Sequence, residues 1–283
     1  MKKVTAFVGS ARKKHTYDAV VQFLSYLQSM GDIEYEIVRL SEYRLEFCKG
    51  CKVCFAKGEE RCPLEDDRDL LLEKMMGSDG IVFASPNYAF QLSASMKAFL
   101  DRLAFAMHRP RFFGKTFTSI VTQGVGRGGK IVDYLDFAAK CLGFNTVKGS
   151  CITALEPMTA SEQQKMDQVL AAQAQRYNAS LQAPGHPVPS WLMLIGFRMG
   201  RTSVRLELDE SSRDYQYYRE QGWFESDYFY PTRLGPAKKV AGKLFDAMQA
   251  RMTKARYKHV VADPSPALTS KTRTLHGARE HEG

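Results

Sequence analysis

The chain has 283 residues, is 44% hydrophobic and carries a formal charge of +9, the make-up of a globular protein that buries a core. No apolar run approaches the roughly 20 residues that span a bilayer, and the longest, residues 191–197, runs into Arg198 and Arg201. The excess charge is concentrated in residues 238–258, where Lys238, Lys239, Lys243, Arg251, Lys254, Arg256 and Lys258 face a single acid, Asp246. It therefore says little about the main domain and reads first as a solvated helix face, with an anionic surface as the sharper alternative. No recognised nucleic-acid module is present.

Residues 3–8 form an unbroken apolar run, as in a strand buried on both faces of a parallel sheet. That run stops at Gly9 and meets Arg12-Lys13-Lys14, so the start reads as a first strand and not an export signal, and a cytoplasmic location is expected. Helical spacing follows over 16–30, with Ala19, Val20, Phe23, Leu24 and Leu27 on one face. A second strand is predicted over 33–40, then a cysteine-bearing loop. Asp66 or Asp67 is placed to cap a helix running to Met76. Further strands are predicted over 80–84, 116–122 and 146–153, and further helices over 93–106, 130–142 and 161–181. This alternation predicts a doubly wound α/β sheet, whose ligands sit beyond the carboxyl ends of the strands.

Pro184, Pro187 and Pro189 mark a linker. The expected division is a domain over 1–183 that includes the cysteine loop 48–62, an extension over 184–260, and a disordered tail over 261–283. The extension has an aromatic stretch, residues 214–230, and a basic helix over about 236–257. The aromatics suit an oligomer interface, in a homodimer or homotetramer, or a cover for a cofactor. With residues 191–201, the basic helix could also lie on an anionic membrane surface.

The loop after the first strand, Gly9-Ser10-Ala11-Arg12-Lys13-Lys14-His15-Thr16, offers the hydroxyls of Ser10 and Thr16 and the guanidinium of Arg12 at a helix N-terminus. It is neither a Walker loop nor a dinucleotide fingerprint. A hydroxyl-rich, glycine-poor loop suits a terminal monophosphate; taken alone it is also an ordinary basic turn. Two more strand-end loops carry unusual chemistry: residues 85–95, and residues 122–129 with Gly124, Gly126, Gly128 and Gly129, where glycine lets the backbone approach a flat ring. His15 and His108 are isolated, so no general acid–base set is apparent.

Cys48-x2-Cys51-x2-Cys54-x7-Cys62 is a compact set. In a cytosolic chain it points to metal or redox chemistry before disulfides. Three thiolates at this spacing can wrap three corners of a cubane while the fourth closes it. A [4Fe–4S] cluster, zinc and free redox thiols remain open, with zinc lowest because its sites more often use separated pairs. Cys141 and Cys151 are expected to be buried packing residues.

Gly9-Ser10-x-Arg12-Lys13-x-x-Thr16, Cys48-x-Gly50-Cys51-x-x-Cys54, Asp66-Asp67, Ser85-Pro86-x-Tyr88 and Ser93-Ala94-x-Met96-Lys97-x-Phe99-x-Asp101-Arg102 occur in this order. Over about residues 1–155 the chain resembles the NAD(P)H-dependent FMN reductase family of the flavodoxin-like superfamily, and within it is most similar to the iron–sulfur flavoproteins. The resemblance implies a flavodoxin-like five-stranded parallel sheet of order 2-1-3-4-5 with the helical, aromatic-rich extension appended. FMN is the implied cofactor. Ser10, Arg12 and Thr16 would lie at its phosphate, Pro86, Asn87, Tyr88 and Phe90 beside the isoalloxazine, and Thr122, Gln123, Gly124 and Gly126 would form the third wall. Met96 and Phe99 would face the core, with Asp101 and Arg102 pairing at a subunit contact. The implied donor is NAD(P)H, or a reduced ferredoxin if the cysteines hold a cluster. The acceptor would be a small molecule such as a quinone or nitro compound. A non-enzymatic electron carrier or redox sensor on the same fold is the alternative.

Overall fold

Apolar runs without alternation become buried parallel strands here. The computed structural model describes residues 1–183 and 185–262. Strands β1 (Lys2–Val8), β2 (Ile33–Arg39), β3 (Gly80–Pro86), β4 (Thr116–Gln123) and β5 (Asn145–Thr146) pair in the order β2-β1-β3-β4-β5, and β6 (Ser150–Thr153) also pairs with β4. Every pairing is parallel, with Val4 opposite Tyr35 and Gly80, and Ile81 opposite Phe117. The order is the expected 2-1-3-4-5. The last strand, expected as one run, is two pieces. Between them Gly149 lies so close to Ser119 that a Cβ would collide with its hydroxyl and carbonyl. The Gly149 N–H instead donates to Asp136 Oδ2 at 3.1 Å, and Ser119 Oγ donates to the other carboxylate oxygen at 2.8 Å.

The helices are α1 (His15–Ser29), α2 (Val53–Ala56), α3 (Arg68–Met76), α4 (Ala94–Arg102), α5 (Ala104–His108), α6 (Gly128–Leu142) and α7 (Ala160–Gln182). Helices α1 and α7 cover one face of the sheet. Phe23, Leu24 and Leu27 pack there with Leu170, Ala174 and Tyr177 on Val4, Ala6 and Val8. The other face carries Phe7, Phe83 and Phe117 against Met96, Phe99 and Leu135. Successive side chains of β1 thus serve opposite cores, which is why residues 4–8 are all buried and apolar but for Thr5. Met96 and Phe99 point into that second core, as expected, and Phe99 stacks on Phe7 at 5.2 Å. The helix expected over 93–106 breaks at Leu103 into α4 and α5.

The described chain divides into two compact units, residues 1–187 with 211–217, and residues 188–210 with 218–262. Residues 211–217, inside the stretch expected to form the extension, group with the first unit. The second unit contains α8 (Trp191–Glu207) and α10 (Pro236–Ala262), which run parallel. Lys238 Nζ donates to the Pro189 carbonyl at 2.6 Å, Gln249 Nε2 to Ser203 Oγ at 2.7 Å, and Thr253 Oγ1 to Glu207 at 2.6 Å. Asp246 accepts from Arg198 and Arg201. The aromatic stretch largely serves this interior. Trp223 packs edge-on against Tyr218 and Phe229, and Phe197 against Tyr228 and Phe229. Helix α9 (Arg213–Glu220) begins in the first unit. The expected tail lies outside the described residues beyond 262.

Candidate functional site

Gly9 ends β1 with no room for a side chain, because a Cβ there would strike Ser93 and Met96 of the α4 start. The chain then turns into α1, whose N-cap, Lys14, supplies no side-chain hydrogen bond. The first N–H groups of α1 therefore have no side-chain cap at that end. Ser10 is buried, and its Oγ donates to the Arg12 carbonyl at 3.0 Å, curling the loop. Thr16 Oγ1 and Thr122 Oγ1 lie 2.6 Å apart and tie the loop after β1 to the end of β4. The Asn87 N–H donates to the Thr122 carbonyl at 2.7 Å, bringing in the loop after β3, and Asn87 Nδ2 reaches the Gly126 carbonyl at 3.3 Å. Gln123 Oε1 accepts from the Gly128 N–H at 2.8 Å at the start of α6.

These loops line an open cleft at the carboxyl ends of the strands, where small-molecule sites of α/β sheets form. Of the residues expected to bind cofactor, Ser10, Arg12, Thr16, Pro86, Asn87, Tyr88, Thr122, Gln123 and Gly124 line it. Phe90 and Gly126 do not. Phe90 sits beside Ala89 in a tight turn closed by Tyr88 and Gln91, and both central residues have positive φ, 48° and 62°. Left-handed backbone at two non-glycine residues is strained and clusters at functional loops.

Four lining residues were not among those expected to bind cofactor: Lys14, His15, Ala154 and Glu156. Lys14 Nζ meets Glu156 Oε1 at 2.6 Å, and this contact holds the exposed Glu156 carboxyl below its ordinary range. His15, expected to be isolated, lines the cleft with its Nε2 buried and unpartnered, and Asn87 Oδ1 is in the same condition.

A second cavity is lined by Cys48, Cys51, Cys54 and Cys62. Left-handed turns at Gly50 and Lys52 wrap the chain around it. Its braces are long-range arginines. Arg102 is buried and donates Nη1 to Cys62 Sγ at 3.1 Å, with Nε and Nη2 going to the two oxygens of Asp66 at 3.0 and 2.8 Å. Burial would raise the Cys62 thiol, but the hydrogen bond from Arg102, the Leu64 backbone and the charges of Arg102 and Arg68 outweigh it and hold it below the ordinary value. Cys54 is pushed up, chiefly by burial and despite Arg109. Arg109, 0% exposed, donates to the Cys54 carbonyl at 3.0 Å and to Glu59 at 2.5 Å, and pairs with Asp214. Among the described residues, no three His, Cys, Asp or Glu side chains are close enough to share one metal ion.

Several expectations change here. Asp101 pairs with Lys97 on its own helix and Arg102 with Asp66, so this motif is spent within the chain. Asp67 is the N-cap of α3, as expected, and Asp66 accepts the Arg68 N–H of its first turn at 3.3 Å; beyond that role, Asp66 and Asp67 accept the N–H groups of Glu46 and Arg44 and anchor the loop entrance. His108 is not isolated, since it meets Asp214 at 2.9 Å and stacks on Phe55 at 4.1 Å. Cys141 and Cys151 are half-buried, not fully buried, and burial raises both thiols.

A parallel sheet of order 2-1-3-4-5 with a cleft at the carboxyl ends of β1, β3 and β4 defines a flavodoxin-like protein. The sequence matches the NADPH-dependent FMN reductase family over residues 2–153, and the chain belongs to that family. An iron–sulfur flavoprotein of Archaeoglobus fulgidus is 36% identical over 143 residues, which is 50% of this chain and 64% of that protein. The chain thus spans less than two thirds of that relative's length. Among solved structures, RosB, in a complex with 8-demethyl-8-formylriboflavin-5'-phosphate, covers 83% of this chain and 92% of its own at a TM-score of 0.54 and 12% identity. An NAD(P)H:quinone oxidoreductase from Methanothermobacter marburgensis covers 65% and 99% at a TM-score of 0.50 and 16% identity. At these identities the two structures show likeness of fold.

Proposed function

We propose that the protein is an FMN-dependent oxidoreductase that draws electrons from NAD(P)H, or from a reduced ferredoxin, and delivers them to a small acceptor such as a quinone or nitro compound. One observation supports this most. Three loops from three strands meet at one cleft, and two of its polar atoms, His15 Nε2 and Asn87 Oδ1, are buried without partners. Such atoms are rare in folded proteins, and a ligand carrying a phosphate and a heteroaromatic edge would satisfy them.

FMN, when bound, supplies the hydride-accepting chemistry. The chain's own work is binding and orientation. Arg12, Ser10, Thr16 and the uncapped first turn of α1 would hold the phosphate. Pro86, Asn87, Tyr88 and the strained turn carrying Phe90 would flank the ring. Thr122, Gln123, Gly124 and Gly126 would present backbone to its polar edge. Lys14 and Glu156 would balance each other's charge beside the phosphate.

The reading extends to a [4Fe–4S] cluster on Cys48, Cys51, Cys54 and Cys62, which would relay single electrons. The four thiols ring a cavity instead of converging on one point. A cubane places each thiolate on its own corner, whereas one zinc draws every sulfur to about 2.3 Å. Arg102 and Arg68 beside Cys62 fit thiolate charge at that wall. The reading also includes a cytoplasmic homodimer or homotetramer.

Purification without oxygen, an absorbance spectrum, iron and sulfide analysis, and steady-state NAD(P)H oxidation with quinone and nitro acceptors test it together. Flavin and iron with turnover are expected. Tight flavin without turnover would make the protein an electron carrier. Iron-free protein from anaerobic cells would leave the cysteines as thiols.

A further inference from the structure

Helix α10 exposes a stripe that the rest of the described chain leaves uncovered. Val240, Leu244, Met248 and Met252 recur every four residues and are 61%, 63%, 43% and 55% exposed. Each step of four turns the direction by about 40°, so the four form one slowly winding band about 18 Å long. The opposite side of the helix is spent on α8, through Lys238, Asp246, Gln249 and Thr253. Exposed apolar surface continues at the amino end of α8 with Trp191 and Leu192, and Lys238 lies 5.7 Å above the Trp191 ring.

The charge around the stripe has one sign. Lys239, Lys243, Arg251, Lys254 and Arg256 are exposed, and none has an ion-pair partner among the described residues. Lys239, Lys243 and Arg251 each precede a stripe residue by one position and so follow one edge of the stripe, and Arg256 continues its four-residue spacing. The one acid between Pro236 and Arg256, Asp246, is held by Arg198 and Arg201.

We propose that this face of α10 docks on an anionic lipid bilayer. An apolar band bordered by lysines is the arrangement with which a helix lies in the plane of a membrane interface, its lysine stems covering apolar surface while their heads meet phosphate. Each cation near an anionic leaflet adds to the attraction. A second copy of the chain fits less well, because its α10 would bring the same unpaired cations to the contact. A folded acidic partner also fits less well, since lysine, three of these five unpaired cations, is depleted from protein interfaces. The inference is independent of the flavin and of the cysteines.

The test uses the full chain with its flavin. It is sedimented with vesicles of equal parts phosphatidylcholine and phosphatidylglycerol, with pure phosphatidylcholine vesicles, and with the mixed vesicles at about 1 M salt, where the Debye length is about 3 Å. The wild type is expected to pellet with the mixed vesicles at low salt and to remain in solution in the other two conditions. Two double variants, Leu244→Glu with Met248→Glu and Lys239→Glu with Lys243→Glu, alter exposed side chains only; each is expected to lower binding at least tenfold with an unchanged flavin spectrum. Wild-type protein that ignores the mixed vesicles overturns the proposal, and so does equal pelleting of wild type and variants. Sedimentation velocity closes the remaining alternative. If the Leu244→Glu, Met248→Glu variant breaks an oligomer and the wild type binds no vesicle, the face belongs to a second copy.

Discussion

The two cavities of the first unit are built by opposite means. At the strand ends the cleft is framed mainly by backbone and short hydroxyls: the Asn87 N–H on the Thr122 carbonyl, Thr16 on Thr122, and Gly9 pressed against α4. Around the cysteines the backbone pairs mainly within its own turns over residues 52–62, and Arg68, Arg102 and Arg109 supply the longer ties to carbonyls and carboxylates. A sheet edge fixes positions through the hydrogen bonds it must make in any case. An excursion such as the cysteine loop has to be fixed by side chains, and each buried charge then needs its partner in place.

The sharpest way to break this comparison is to remove an arginine. Arg109 is fully buried between Glu59 and Asp214. Arg109→Leu leaves both carboxylates short of a buried partner, so a loss of about 3–5 kcal/mol is expected, read by urea unfolding. If the cleft is as independent as its backbone suggests, folded protein that survives will still bind FMN with near wild-type affinity. The converse variant belongs to the cleft. Arg12→Ala removes an exposed charge-assisted donor, so FMN binding should weaken by about 1.5–3 kcal/mol at most, roughly ten- to a hundredfold, in a flavin fluorescence titration. Iron content and unfolding midpoint of the flavin-free protein should not move.

The same division decides what was legible in the sequence. Residues 4–8 and 80–84 are apolar but for Thr5, residues 116–122 mix Phe117, Ile120 and Val121 with threonine and serine without regular alternation, and the three loops that follow such strands must face one edge of a parallel sheet. That was enough to bring Ser10, Asn87 and Thr122 together. Glu156 and Lys14 escaped because neither residue type at either position signals a partner across the cleft. The arginines escaped for a stronger reason. Arg102 and Asp66 are 36 residues apart, and Arg109 and Asp214 are 105 apart. Arg102 was expected to pair with its neighbour Asp101 at a subunit contact, but on a helix adjacent residues do not face each other. The break at Leu103 likewise has no glycine or proline to announce it.

Acid should separate the two sites more gently. Asp66 would be raised by burial, but Arg102 and the Glu46 and Arg68 N–H groups outweigh this and lower it. A carboxylate depressed in the fold stabilises it fully above its unfolded value of about 3.9, and that contribution is lost as pH falls through the lower folded value. Unfolding free energy of the wild type should therefore drop as pH falls below about 4. Asp66→Asn should be less stable at neutral pH and lose less on acidification, in parallel urea titrations.

The smallest expected effect tests whether the cleft carries strain as well as backbone order. Ala89 and Phe90 hold positive φ in the turn beside Tyr88. A left-handed alanine costs about 1–2 kcal/mol, while glycine costs about 0.5–1 kcal/mol in the entropy of the unfolded chain. Ala89→Gly should thus stabilise the protein by up to about 1 kcal/mol. If the strain is kept because it presents Tyr88 and Phe90 to a flavin, the same variant should bind FMN more weakly, since a freer turn must be ordered on binding. A stabilised variant with unchanged affinity would separate the turn from the ligand. It would leave the phosphate end, with Ser10, Arg12 and Thr16, as the part of the cleft that sets affinity.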